Sequence, residues 1–518
     1  MRKKNEKITF KTYNMDQLSL PLSLNDLIPD NHLVRIVNNA IENLDIDPLL
    51  NKYKGGGTSS YHPKMMLKAL IYAYSQKIYS SRQIAKALRE NINFMWISGG
   101  NKPDFRTINR FRSSVMKDTI DEIFSSVLEL LVESKLVKLE NYFLDGTIIE
   151  ANANKYSHVW RKSTQRYKNN LKTKIKLLIE QIDEVNNVEN KYYGNSDLEE
   201  LGENSNITSE LLAKTIKKLD EKLAIKETDK EVKKKLRILK NECLPYLQKY
   251  EEQETKLKDR NSYSKTDNDA TFMRMKDSPF GTNFSKPAYN IQIGTENQFI
   301  ISYSIHQKPA DTSCLIPHFD KLKKHFNKLP TNICADAGYG SEENYEYLES
   351  NNINYYVKYN TYHSENKALS EKERYKTDNL VYDEQKDEFV CPTGHRLKKV
   401  KECQGLTANK YLINVTEYEG TACRDCYQRN ICIKNGINRN IKISHRSREL
   451  RKKAREYLDS EKGLELRSRR GIEVESVFGH IKANRNLKRF HLRGLDKVNI
   501  EWGLACIAHN LLKLTASK

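Results

Sequence analysis

Apolar residues recur at spacings of three and four through residues 28 to about 135. The runs are "HLVRIVNNAIENL", "PKMMLKALIYAYSQK", "SSRQIAKALREN" and "FRTINRFRSSVMKDTIDEIFSSVLELLVESK", and that period predicts amphipathic helices. Ser80 followed by Gln83 reads as a capping box opening the third run, and Pro103 places the next helix start at Asp104. At 140 the pattern changes to "ENYFLDGTIIEANANK", a short β-rich run. Residues 160–262 are rich in Lys, Glu and Asn. There Leu212, Ile216, Leu219 and Leu223 follow spacings of four, three and four, which predicts a helical hairpin or short coiled coil inserted as an arm. β-type sequence returns in "AYNIQIGTENQFIISYSIH" (288–306), two runs around a polar turn, as in a hairpin. "PHFDKLKKHFNKL" then reads as helix, "TNICADAGYGS" as a buried strand closing on Asp336, "EENYEYLESNN" as helix and "INYYVKYN" as strand. The order β, insertion, ββ, α, β, α, β predicts an α/β domain interrupted by insertions. A cysteine-bearing segment at 375–440 follows, and from about 445 the chain reads as basic and helical.

Charge changes the picture from fold to partner. With 88 Lys and Arg against 68 Asp and Glu the net charge is +20, which points to a polyanion, nucleic acid foremost, or to a merely Lys-rich chain. The two short helices around "SGGNKPD", the second carrying Arg106, Arg110 and Arg112, read as a helix-turn-helix-like DNA reader. An all-helical dimerisation module with a solvated basic face is the other reading. The N-terminal "MRKKNEKITFKTYNMDQ" has no apolar core behind its basic residues, and no run of about 18 apolar residues occurs, so the expectation is no membrane and a cytoplasmic, nucleoid-associated protein.

Asp145 closes "YFLD" before Gly146, and Asp336 closes "ICAD" before "AGYG". A carboxylate at the carboxyl end of a buried strand faces the crevice where α/β folds bind ligands, although Asp before Gly is also an ordinary turn signal. Together with a glutamate on a basic helix, two such aspartates could hold two divalent metals that clamp the attacking and leaving oxygens of a phosphodiester. Hard oxygen donors favour Mg²⁺ or Mn²⁺.

"FLDGTIIEAN", "YNIQIG", "ADAGYGS" and "EVESVFGHIKANRNLKRFHLRG" resemble the successive landmarks of DDE transposases from bacterial insertion sequences. The resemblance runs over nearly the whole chain. It implies a ribonuclease H-like α/β catalytic core (136–518) behind a helical N-terminal DNA-binding domain (1–135), with an inserted helical arm (160–262) and an inserted Cys-rich segment (375–440). It also implies metal-dependent cleavage of double-stranded DNA at insertion-sequence ends, strand transfer into target DNA, and a homodimer. Asp145, Asp336 and the glutamate of "EVESVFG" are then the catalytic metal ligands. A non-mobile metal-dependent nuclease of the same fold and a domesticated, non-catalytic DNA-binding protein are the rival classes.

Two glutamates compete for the third place. On a helix, Val474, Val477, Phe478 and Ile481 form one apolar stripe, with Glu475 and Lys482 on one edge and Glu473 on the other, near Arg469 and His480. The resembling group often shows Tyr, two residues, Arg, three residues, Glu, six residues, Lys. Glu475 satisfies the Lys half through Lys482 but has Gly471 where Arg is expected. Glu473 satisfies the Arg half through Arg469 but has His480 in place of Lys, and Tyr is absent in both registers. Phe478-Gly479 favours Glu475, leaving Glu473 as a surface pair with Arg469. Lys482 is expected to reach a phosphate near the scissile bond, with Arg485 and Arg489 continuing the basic surface.

Of nine cysteines, five lie between 391 and 432. Cys391 and the Cys423, Cys426, Cys432 group are candidate ligands of one structural Zn²⁺, with His395 and Cys403 as substitutes. Free thiols are the other reading, because the spacing is irregular.

Overall fold

The computed structural model describes residues 23–53, 60–193, 207–225, 230–275, 284–326, 328–365, 368, 370–433 and 436–516, the side chains of 183–193 and 222–225 apart. The N-terminal "MRKKNEKITFKTYNMDQ" and parts of the expected arm (194–206, 226–229) lie outside them.

A central sheet positions everything else. Strand β1 (Asn141–Glu150) runs antiparallel to β2 (Ser285–Glu296), β2 antiparallel to β3 (Phe299–His306), and β1 parallel to β4 (Asn332–Ala335), which is parallel to β5 (Asn354–Val357). Spatial order is thus β3-β2-β1-β4-β5, with the short strand Thr271–Arg274 pairing the start of β2 beside β3. This mixed sheet fits the expected ribonuclease H-like core. The β2–β3 connection is a two-residue turn whose Asn297 and Gln298 both take positive φ, 52° and 63°, the conformation that matches strand twist in a tight hairpin. Glu296, just before the turn, is buried, and its carboxylate accepts from the backbone N–H groups of Lys138, Leu139, Glu140 and Asn141 at 2.7–3.1 Å. That anchor fixes where β1 begins.

The N-terminal helices Leu33–Glu42, Pro63–Ser75 and Ser81–Glu90 form as the period required, while the fourth run is broken into Phe105–Arg110 and Ile120–Glu133 and a further short helix, Ile92–Ile97, stands before it. They share one hydrophobic cluster with the central sheet, so the change of pattern near 135 is a change of element type, with the core continuing across it. The link is the C-terminal helix Leu495–Ala516, buried continuously from Ile500 to Leu511. The segment is helical as expected, but a helix apolar on most sides belongs in a core, so this last part is buried and not basic in character. Its Asn510 side chain accepts from Ile300 N and donates to Ile300 O, both at 2.8 Å, standing in for a neighbouring strand along β3.

Two further expectations change. Ser80 occupies the N-cap of Ser81–Glu90, but its side chain makes no cap hydrogen bond. The arm is also more than a hairpin: Arg161–Tyr193, Ser209–Ile225, Lys230–Ile238 and Leu244–Leu257 bury Ile175, Ile182, Leu212, Ile216, Leu219, Leu236 and Leu247 in a core of their own. The Cys-rich segment forms a separate five-stranded antiparallel sheet.

Candidate active site

β1 does not end at Asp145, contrary to the sequence reading. It continues to Glu150 because its antiparallel partner β2 continues, Asp145 facing Ile293 and Gly146 facing Gln292 in the register. What ends there is the parallel pairing with β4, whose last partners are Leu144 and Ala335. The next residues of the two strands are Asp145 and Asp336, so both carboxylates stand at one level where neighbouring parallel strands part. Asp336 leaves its strand as the N-cap of the 3₁₀ turn Ala337–Tyr339.

That turn is braced from the far face of β1. Tyr339 donates to the Gln292 side chain, and Gln292 and Asn290 each donate to Asp311 at 2.9 Å. A Cβ at Gly146 would lie 2.3 Å from Gln292 Nε2 and 2.7 Å from Asp311 Oδ1. Glycine beside Asp145 therefore gives this bracing network its room.

The third acidic segment is a helical run from Glu461 whose hydrogen bonding widens at Gly471–Glu475 into a π turn, tightens over Ser476–Gly479, and widens again at His480–Asn484. A π turn brings residues five apart onto one face, where an α-helix brings residues four apart. Arg470, at the N-cap of the first π turn, consequently lies over Glu475, its Nη1 3.2 Å from Oε1. Its Nη2 is 3.1 Å from Asp145 Oδ2. Burial works against the Arg470 charge, yet Asp145, Asp336 and Glu475 together outweigh it and hold the guanidinium above its ordinary value. Its Nε is buried without a hydrogen-bond partner. Arg470 is the residue the sequence reading missed. The signature Arg was sought four positions before Glu475, and one extra residue in the turn moved it to five; the adjacent Arg469-Arg470 pair before Gly471 was the available signal.

Glu473 points elsewhere. It pairs with Arg469 at 2.9 Å as expected, but it is buried and accepts from Gln298 N at 2.8 Å, tying this run to the β2–β3 turn. The exposed surface pair of the sequence reading is thus a buried anchor. Val474, Val477, Phe478 and Ile481 are all buried, as their stripe required.

The basic candidates divide. Lys482 Nζ lies 3.2 Å from Thr147 Oγ1, two residues along β1 from Asp145 and therefore on the same face. Arg489 is half-exposed and flanks Glu150 at the end of β1, 3.7 Å from its carboxylate. Arg485 is not surface: it is buried, contacts His509 Nδ1 at 2.8 Å, and its backbone carbonyl accepts from Tyr79. Burial lowers its guanidinium. Arg106 and Arg110 are exposed on Phe105–Arg110, and the Arg106 and Arg82 guanidiniums flank the Phe105 ring at 5.7 and 5.1 Å. Arg112, expected beside them, is buried and donates to Tyr79 O, Tyr74 OH and Ser81 Oγ, so its role is internal.

Cys391, Cys423, Cys426, Cys432 and His395 line one small cavity in the separate sheet, whereas Cys403 faces Val415 along a strand pair and does not reach it. Among the described residues no three His, Cys, Asp or Glu side chains are already closed to metal-holding spacing. None of the described helices is long and apolar enough to cross a membrane.

Known families match parts of the chain. A family described as "Transposase DDE domain" matches residues 390–515, and one described as "Transposase domain" matches 22–114. The first segment contains Glu475 and Lys482 and the second Arg106 and Arg110, while Asp145 and Asp336 fall outside both. A third, described as a viral superfamily 1 RNA helicase core domain, matches 305–426. That stretch runs from the end of β3 through β4 and β5 into the separate sheet, and it contains no Gly-Lys-Ser or Gly-Lys-Thr to hold nucleotide phosphates, so it carries no argument for a helicase. No curated protein and no solved structure matches the chain.

Proposed function

We propose that this chain, a DDE-type insertion-sequence transposase on its matches to two transposase families, uses Asp145, Asp336 and Glu475 as the carboxylates with which it cleaves transposon-end DNA and joins the freed 3′ end to a target. The observation that carries this reading is Arg470. One guanidinium is ion-paired with Asp145 and Glu475, and Asp336 follows the last residue of β4 paired with β1, which supports grouping acidic side chains from three widely separated segments that are not yet closed to metal-holding spacing. Glu473, buried on Gln298, has no part in it.

The donor set fits a divalent cation: three hard carboxylates that already draw a positive charge, in this structure the charge of Arg470. Mg²⁺ or Mn²⁺ bound there would supply the Lewis acidity that stabilises charge on the phosphoryl oxygens during attack and departure. The rest falls to the chain itself. Lys482, beside Thr147, would meet a backbone phosphate and fix the scissile bond against Asp145. Arg106 and Arg110 present charge to the duplex from Phe105–Arg110. Action on two ends at once would require a homodimer.

The test uses the full chain with Mg²⁺ and a duplex carrying the terminal inverted repeats once these have been identified by sequencing the DNA on either side of its gene. Asp145→Asn and Asp336→Asn are expected to lose end cleavage and strand transfer while still shifting the duplex in a gel. Loss of binding along with cleavage, or cleavage that persists, would overturn these roles.

A further inference from the structure

The separate sheet comprises Val381–Asp383, Glu388–Val390, Arg396–Leu406, Leu412–Gly420 and Asn440–Ile443. Its buried apolar cluster is Leu380, Phe389, Leu397, Tyr418, Ile441 and Ile443. So small a core is short of what a module of this length needs, and modules of that kind are usually held by disulfides or a metal. All of its cysteines are free.

Four of those thiols come to one place from three segments. Cys391 opens a tight turn in which Gly394 N donates to Cys391 O and Cys391 N donates to His395 O, both at 2.9 Å, with Gly394 at φ 85°. Cys423 and Cys426 lie in the loop after Gly420, and Cys423 packs so closely on that glycine that a Cβ there would stand 2.4 Å from its Sγ. Cys432 ends the helical turn Arg429–Cys432. The four line a cavity of about 20 Å³, room for one water-sized or ion-sized occupant. Thr393 Oγ1 stands 3.0 Å from Cys391 Sγ and 4.0 Å from Cys426 Sγ, which bounds how far those two sulfurs can be from each other. Buried Arg439 places Nη1 2.7 Å from Cys432 Sγ. A buried cation against sulfur suits a thiolate and compensates the negative charge of a thiolate-rich metal site.

We propose that Cys391, Cys423, Cys426 and Cys432 bind one structural Zn²⁺, with Thr393 and Arg439 as its outer partners. The thiols are not yet at ligand spacing, so the ion draws them inward as it displaces their protons to solvent, and it closes the module that its apolar core leaves underheld. Zinc has no part in the cleavage chemistry, so the site stands or falls independently of the acidic trio.

Elemental analysis of the purified full chain, after dialysis against Zn²⁺ and removal of loose metal, tests this. About one zinc per chain is expected, with Co²⁺ exchange giving the ligand-field bands of a tetrahedral thiolate site. Cys426→Ser should lower the zinc content at least several-fold, whereas Cys403→Ser, in the same sheet but away from the cavity, should keep it. If Cys426→Ser fails to fold, thiol titration of the native wild-type chain decides: protection of four thiols that chelator abolishes supports the site. No bound zinc, retention of zinc in folded Cys426→Ser, or thiols equally reactive with and without zinc would overturn it, as would a disulfide among the four.

Discussion

Arg470 is ion-paired with both Asp145 and Glu475, so under the proposed assignment a cation entering between them must displace it. The perturbation is Arg470→Gln, which removes the charge and keeps much of the side chain's bulk. At an effective dielectric of about 20, unit charges 3.1 Å apart attract by about 5 kcal/mol before desolvation is counted. The Glu475 side chain is 59% exposed, which limits its pair to about 1 kcal/mol or less. Asp145 at 21% and Arg470 at 14% are better shielded, and a charge-assisted hydrogen bond of that kind nets about 1.5–3 kcal/mol. Displacing Arg470 therefore costs an incoming ion about 2 kcal/mol, and removing it should tighten Mn²⁺ binding by roughly 10- to 100-fold, at 1.4 kcal/mol per tenfold. Calorimetric titration of the full chain with Mn²⁺, without DNA, measures this. Arg469→Gln, whose side chain pairs with Glu465 and Glu473, is the control and should leave the affinity nearly unchanged. An unchanged or weakened affinity in folded Arg470→Gln would refute the reasoning.

Three other outcomes follow from particular side chains. Glu296→Ala strands four backbone N–H groups at the start of β1 and should cost at least about 3 kcal/mol in chemical denaturation; a loss below about 1 kcal/mol would contradict the anchor. Arg106→Ala and Arg110→Ala should weaken duplex binding and each reduce its salt dependence by about one phosphate contact, whereas buried Arg112→Ala should lower the melting temperature. A salt slope unmoved in the first two would remove that helix from the DNA interface. Burial depresses His306 to about 4 and His509 to about 3. An unfolded His takes up its proton near pH 6.5, so the stability these neutral rings contribute is complete above about pH 6.5 and is lost as pH falls toward about 4. For His306 that loss is about 3 kcal/mol, and thermal melts that stay level across the window would exclude it.

Much of the fold was legible because period and element agree. The helices through Glu133, the hairpin at 288–306 and the strand–helix–strand run to Val357 all appear near their expected places. What escaped was set by tertiary partners. Local turn chemistry ended β1 at Asp145-Gly146, but pairing with β2 carries it to Glu150. Arg112 and Arg485 look like any other basic residue in one dimension, and only Tyr79, Tyr74 and His509 make them internal. Within the candidate site, the ambiguity between Glu473 and Glu475 came from assuming 100° per residue throughout. A π turn adds one residue, and with it Arg470 replaces Gly471 as the partner of Glu475.

That exchange makes the two glutamates the most direct test of the account. End cleavage by Glu475→Gln and Glu473→Gln should be measured side by side with Mg²⁺ on the inverted-repeat duplex, each variant first shown to be folded and to bind DNA. Glu475→Gln should lose cleavage by about three orders of magnitude or more, the scale at which catalytic groups act. Glu473→Gln should keep it within about tenfold, because an amide oxygen can still accept from Gln298 N. Cleavage that survives in Glu475→Gln, or that disappears in folded Glu473→Gln, would contradict the assignment.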